Sequence, residues 1–146
     1  VYDRVCRVAM TYQHAEDEIE IVMRELVKQV GGSKVSRDWV ALVVEMVRQT
    51  RNHADLRFGS SVRGAIDTAV VATSLSAMRN ASVETAMVGL DSALVALTGR
   101  VRMREGSVRT TEEVITEIFS EVFGLNSKDG DTGKAGAPTG ATNSRS

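Results

Sequence analysis

Apolar residues recur at every third or fourth position over much of this chain, which is the spacing that places them on one face of a helix. Five segments follow this pattern: 15–30, 36–50, 61–79, 82–97 and 110–123. Their apolar faces can leave water only by packing against one another. The pattern therefore predicts a mainly α-helical fold, a small bundle of about five helices.

Residues with known preferences for helix ends mark where these segments begin and stop. Ser36, Ser61 and Ser82 are predicted N-caps, because a serine oxygen can accept hydrogen bonds from the free N–H groups of a first turn. Thr110 followed by Glu113 has the spacing of a capping box, and glycines follow the first and last segments. These signals give the helices defined ends.

Other segments do not follow the helical period. Residues 5–12 are rich in β-forming residues and alternate loosely, which predicts a short strand that would need a sheet from outside this sequence. Residues 100–105 also alternate, which predicts an extended segment. From 126 to 146 no residue is aromatic or an aliphatic larger than alanine, so we expect a disordered tail. The helical body accordingly spans 15–125, after a strand segment at 1–14.

Composition narrows the classes of function. The chain has 146 residues, 42% of them hydrophobic, and a net charge of −1, so it can bury a core and has no overall basic field for nucleic acid. No apolar run approaches the roughly 18 residues of a membrane span. The one cysteine, Cys6, fits a reducing compartment, the cytoplasm, and we expect it to be buried as a small apolar side chain in the predicted strand.

Most titratable residues have simple interpretations. His14 and His53 lack the spacing of metal ligands, so solvated or capping roles are favoured. Acidic residues crowd 16–20 at the start of the first helix, where negative charge is favoured, and we expect them on an exposed face.

Arg63 is the exception, because it falls at the second position of the third predicted helix. A cation is unfavourable at a helix N-terminus, where the helix dipole is already positive. The guanidinium and the free N–H groups of the first turn could together bind an anion, best a phosphate. Alternatively, Arg63 pairs with a nearby carboxylate. The residues alone leave both interpretations open.

The order of sequence motifs around Arg63 resembles that of a known protein family. Residues 34–69, KVSRDWVALVVEMVRQTRNHADLRFGSSVRGAIDTA, resemble the lid domain of MoxR-type AAA+ ATPases. That family typically has a helix, an Asp-Leu/Val-Arg turn and then Gly-Ala/Ser-Ser-Pro-Arg-Gly/Ala opening the next helix. The similarity continues through 90–119 and reaches back to the Tyr-Asp-Arg at 2–4, covering roughly residues 2–123. GSSVRG is its most specific part.

The resemblance implies roles for individual residues. Arg63, with Ser61 beside it, matches the sensor-2 position that contacts the γ-phosphate of ATP bound by the same subunit. Arg4 matches an arginine finger that acts on the neighbouring subunit's nucleotide, and a structural ion pair for Arg4 stays open. The intact protein would bind ATP and Mg²⁺, assemble as a homo-oligomeric ring, a hexamer, and remodel or activate client proteins, often with a von Willebrand A-type partner.

This sequence also departs from the family pattern. Val62 replaces the usual proline at the first helical position, Val5 replaces a phenylalanine and Gln13 replaces a frequent proline. Neither a Walker A lysine nor a Walker B acidic pair occurs, and both are needed to bind and orient ATP. We therefore expect a lid whose ATPase core lies outside this chain, with 1–14 as the last core strand and no hydrolysis by the chain alone.

A rival interpretation is a stand-alone helical interaction module. It would bind a partner helix or, as a less favoured version, nucleic acid through Arg100, Arg102, Arg104 and Arg109. A solvated strand face is the simpler explanation of those arginines.

Overall fold

A computed structural model describes residue 4 and residues 6–31 and 35–125. Five helices form most of this part of the chain: α1 Ala15–Val30, α2 Arg37–Thr50, α3 Val62–Arg79, α4 Ala86–Leu97 and α5 Thr111–Val122. The prediction of a mainly helical fold is confirmed. The predicted tail at 126–146 lies outside the described residues.

Three of the predicted caps form. The Ser36 and Ser61 hydroxyls each accept a hydrogen bond from a backbone N–H in the first turn of α2 or α3. Thr110 and Glu113 form both bonds of the capping box at the start of α5. These local bonds fix the ends of three helices independently of the packing.

The predicted start of α4 is wrong by three residues, since the N-cap is Thr85 and not Ser82. The Ser82 oxygen accepts a bond from the Glu84 N–H, and the Thr85 N–H donates to the Ser82 carbonyl, so residues 82–85 form a turn. Such local bonds compete with helix formation, and α4 begins only at Ala86. The predicted inward face is wrong as well: Ala86 and Met87 are exposed, and the buried face of α4 includes Val88, Ser92 and Ala93.

A two-stranded antiparallel sheet joins distant parts of the chain. Strand β1, Leu56–Phe58, pairs with β2, Arg102–Met103. The sheet bears out an extended segment within 100–105, whereas β1 was not predicted. Both strands are short, with three residues in β1 and two in β2.

The predicted N-terminal strand does not form over its described residues. Residues 6–14 contain no strand and are exposed, because no second strand pairs with them among the described residues. Cys6 is exposed as well, so its expected burial is wrong.

The core forms where α3 meets its neighbours. α3 packs against α1, α2 and α4, and α5 packs against α2 and α4. Small residues on α3 permit this close approach, and Ala65, Ala69 and Ala72 are at most 1% exposed. Aliphatic residues of the other helices surround them; the fully buried ones include Val22, Leu26, Val40, Val43, Val44, Val47 and Leu97. None of the helices in the described part of the chain combines the length and apolarity needed to cross a bilayer.

Candidate functional site

The segment that leads into α3 is fixed against the end of α2. The Ser60 N–H donates to Thr50 Oγ1 at 2.9 Å, and Arg51 Nε donates to the Ser60 carbonyl at 2.8 Å. Ser60 is 2% exposed and Thr50 is 1% exposed. Both backbone polar groups of Ser60 are thus paired, which buried groups require.

Two glycines allow the chain to approach this closely. A Cβ at Gly59 would lie 2.5 Å from the backbone of Thr50 and Arg51. A Cβ at Gly64 would lie 2.1 Å from Ser60 Oγ and 2.8 Å from a methyl carbon of Leu97. A larger side chain would therefore clash at either position, which explains why glycine precedes and follows residues 60–63.

Arg63 is the second residue of α3 and points largely into solvent. Ser61 is the N-cap, and its hydroxyl accepts a bond from the Arg63 N–H at 3.4 Å. The Arg63 side chain is 61% exposed, and its Nε lies 3.3 Å from Asp67 Oδ1, one turn further along α3. The ion-pair interpretation therefore describes this structure, and the exposed guanidinium stays accessible from solvent.

Asp67 is shared between two arginines. Its second oxygen, Oδ2, contacts an Nη atom of Arg100, which lies in the turn after α4. Glu25 on α1 adds another negative charge: the hydrogen bond from Lys28 is the main cause that lowers the pKa of Glu25, and the charge of Arg63 is a smaller one. The start of α3 therefore carries cations and carboxylates in close balance.

A buried carboxylate on α1, that of Glu18, binds two arginines at the end of α2. Glu18, expected on an exposed face, is only 1% exposed. Its Oε1 accepts a bond from Arg51 Nη2 at 2.8 Å and its Oε2 accepts one from Arg48 Nη1 at 3.0 Å. The Arg51 side chain is itself only 7% exposed. A buried carboxylate needs such partners, so the two arginines of α2's end are the physical reason that the prediction failed.

The segment before α1 also rests on these arginines. The Tyr12 ring lies 3.9 Å from the guanidinium carbon of Arg51, and Arg48 Nη1 donates to the Gln13 carbonyl at 3.0 Å. A cavity of about 630 Å³ opens here, lined by Tyr12 and the polar residues at the end of α2. Its lining includes neither Ser61 nor Arg63, so it is separate from the start of α3.

Comparison with protein-family models, curated proteins and solved structures gives no match for this chain. Its function must be inferred from the residues themselves.

The other residues singled out from the sequence lie apart from Arg63. Arg4 is exposed and forms no ion pair with a described residue. His14 stands at the N-cap position of α1 without a capping bond from its side chain. His53 Nδ1 accepts a bond from the Asp55 N–H at 3.1 Å. Over 6–31 and 35–125, no group of three or more His, Cys, Asp or Glu side chains is placed to hold a metal ion.

The arginines near β2 do not share one free face. Arg100 contacts Asp67, and Arg109 bonds Asp55 at 3.1 Å and contacts Glu117. The contact with Glu117 is the main reason that the pKa of Arg109 is raised. The remaining two, at 102 and 104, are exposed. A continuous nucleic-acid surface is therefore poorly supported.

Proposed function

We propose that this chain is the lid of a MoxR-type AAA+ ATPase, in which Arg63 contacts the terminal phosphate of ATP held by the ATPase core. The observation that carries the proposal is the 61% exposed guanidinium of Arg63, at the second residue of α3 and beside the N-cap Ser61. A helix N-terminus offers N–H donors and positive potential, and guanidinium is the side-chain group best matched to phosphate.

The fixed turn before α3 suits this role. Gly59, Ser60 and Arg51 hold the start of the helix in one position, so Arg63 and the first-turn N–H groups need little rearrangement to meet an anion. Donors that are already oriented stabilise charge on a transferring phosphate most effectively. In the proposed site, Arg63 would orient the terminal phosphate and balance the charge that develops on it.

The described residues at the start of α3 suit a phosphate group but not the Mg²⁺ ion that accompanies ATP. It has an exposed arginine at a helix start but no cluster of carboxylates suited to Mg²⁺. Under this proposal Mg²⁺ and the rest of ATP are held by a core that carries the Walker motifs missing from these 146 residues. Bound there, ATP and Mg²⁺ supply the reacting phosphate and its counter-charge, and this chain alone does not hydrolyse ATP.

Further parts of the proposal rest on the family resemblance alone. Arg4 would act as an arginine finger toward the neighbouring subunit, and its exposed position leaves it accessible for that contact. The intact protein would be a cytoplasmic homo-oligomeric ring, a hexamer, that remodels or activates client proteins, with a von Willebrand A-type protein as a partner.

The first test is genetic and the second is enzymatic. The reading frame upstream of codon 1 should continue in frame into a P-loop ATPase core; a start codon next to Val1 would contradict this.

In the complete protein, Arg63→Ala should lower kcat or kcat/KM for ATP by about 10²-fold, the usual effect of losing one preorganised charge-stabilising donor. Arg57→Ala is the matched control. The Arg57 side chain is nearly as exposed as that of Arg63, at 59%, but Arg57 lies in β1 and not at the start of α3. Wild-type rates in the Arg63 variant would refute the assignment.

A stand-alone helical interaction module remains the second candidate. Exposed apolar side chains at the end of α3 and on α4 favour it: Met78, Met87 and Val95 are 82%, 65% and 68% exposed. Large exposed apolar patches are typical of protein-binding surfaces, and α3 packs against α4, the two helices that carry these residues. A reading frame that begins at this chain, with partner binding lost in Met87→Lys or Val95→Lys, would support this function over the ATPase lid. A nucleic-acid ligand would instead show affinity that falls steeply with salt.

A further inference from the structure

The ion pairs of Asp67 indicate how access to Arg63 is controlled. Asp67 Oδ1 lies 3.3 Å from Arg63 Nε, and Oδ2 contacts an Nη atom of Arg100. The two arginines come from different parts of the fold, the start of α3 and the turn after α4. One carboxylate is therefore divided between two cations.

We propose that Asp67 holds Arg63 when no anion is bound, and that Arg100 weakens this hold and takes over Asp67 when Arg63 turns to a phosphate. This inference rests on the proposed function, because it takes Arg63 as the anion-contacting residue. Asp67 and Arg100 act through Arg63, so both are positioning residues.

The exposure of the three side chains makes the exchange feasible. Arg63 is 61%, Arg100 39% and Asp67 25% exposed. Ion pairs at such exposed positions are weak, so a phosphate with several charges can displace Asp67 from Arg63. Asp67 is the least exposed of the three, and leaving it without a partner would be unfavourable. Arg100 already contacts its second oxygen, so Asp67 keeps a partner after Arg63 leaves.

The inference predicts opposite effects for two substitutions. Asp67→Asn keeps the size of the side chain and removes the charge that competes with phosphate, so anion affinity should rise about two- to fivefold. Arg100→Ala leaves Asp67 to Arg63 alone, so affinity should fall by about the same factor. A gain of affinity is informative because general damage to the structure would produce a loss.

The experiment is a titration of the 146-residue chain with tripolyphosphate at low salt, followed by the ¹⁵N–¹H NMR signals of the Arg63 and Gly64 amides. Arg63→Ala tests the anion site itself. Glu25→Gln is the charge control for Asp67→Asn: the charge of Arg63 helps to lower the pKa of Glu25, but no ion pair joins these two side chains. Glu25→Gln should therefore change the affinity less than Asp67→Asn does.

A double variant separates two roles for Arg100. If Arg100 acts through Asp67, Arg100→Ala should have little effect in the Asp67→Asn background; if it binds the anion directly, the loss should be the same in both backgrounds and the inference is overturned.

The remaining outcomes are distinct. Binding that needs Arg63 but is unchanged or weaker in Asp67→Asn overturns the inference and leaves the anion site standing. Absence of binding, or binding unaffected by Arg63→Ala, overturns the anion site and the inference with it.

Discussion

Replacement of Gly59 by alanine tests the packed turn that positions α3. The added Cβ would lie 2.5 Å from three backbone atoms of Thr50 and Arg51, a distance that no side-chain movement can relieve. The turn must therefore shift away from the end of α2. That shift would lengthen the bonds from the Ser60 N–H to Thr50 Oγ1 and from Arg51 Nε to the Ser60 carbonyl, now 2.9 and 2.8 Å.

The magnitude follows from these two effects. Forcing a methyl group into a packed site costs about 1–3 kcal/mol, and each weakened hydrogen bond costs roughly 1 kcal/mol. Part of the strain is released as the bonds break, so we expect a loss of about 3 kcal/mol in the free energy of unfolding. For a folded body of this size, that loss lowers Tm by about 10 °C.

Urea and thermal unfolding followed by circular dichroism would measure this effect, with two other glycines as controls. A Cβ at Gly99 would meet no atom within 4 Å, and Gly99 has no positive φ, so Gly99→Ala should change stability by less than about 0.5 kcal/mol. Gly31 is equally open but has φ 68°, so Gly31→Ala should cost about 1 kcal/mol from backbone strain alone. Equal stabilities of the Gly59 and Gly99 variants would show that the close contact with α2 is absent.

Three further substitutions address other features. Glu18→Gln leaves Arg51 buried without its carboxylate and should cost about 3 kcal/mol in urea unfolding; the same change at Glu20, 59% exposed, should cost far less. Thr110→Ala removes the α5 cap and should cost about 1 kcal/mol, whereas Thr110→Ser should retain most of the stability. The pKa of Glu25 is lowered from 4.5, chiefly by the hydrogen bond from Lys28, so its contribution to stability is present above pH 4.5 and is lost as the pH falls through the lowered value. Glu25→Gln should therefore make the fall of stability in acid shallower. The effect should be small, because the Glu25–Lys28 pair is exposed; an unchanged pH profile would show that this pair does not contribute to stability.

Local signals in the sequence were sufficient for most helices. The period of apolar residues gave α1, α2, α3 and α5 nearly to the residue, because caps at Ser36, Ser61 and Thr110 coincide with the start of each pattern. At α4 the residues 82–85 contain two cap formers, Ser82 and Thr85, and the choice between them depends on a turn that only the folded chain shows. β1 has three residues, too few for a period, and its partner lies far along the chain.

The candidate site was predictable only in part. The position of Arg63 in the first turn of α3 follows from Ser61, and a pairing with Asp67 one turn later fits the four-residue spacing that the helix imposes. Arg100 on the same carboxylate could not be foreseen, since tertiary packing brings it there. The burial of Glu18 likewise depends on arginines of another helix, although Arg48 and Arg51, three residues apart, offered a signal.

The contacts of Arg51 have a consequence for the dynamics of the loop that precedes α3. Loop amides usually exchange with solvent rapidly, through small local openings. Ser60 lies in such a loop, yet its N–H donates to the buried Thr50 hydroxyl and its carbonyl accepts from Arg51, whose guanidinium is bonded to Glu18 of α1. Freeing this amide requires the loop to leave the end of α2, with loss of the bonds to both Thr50 and Arg51. The Ser60 amide should therefore exchange hydrogen far more slowly than an ordinary loop amide.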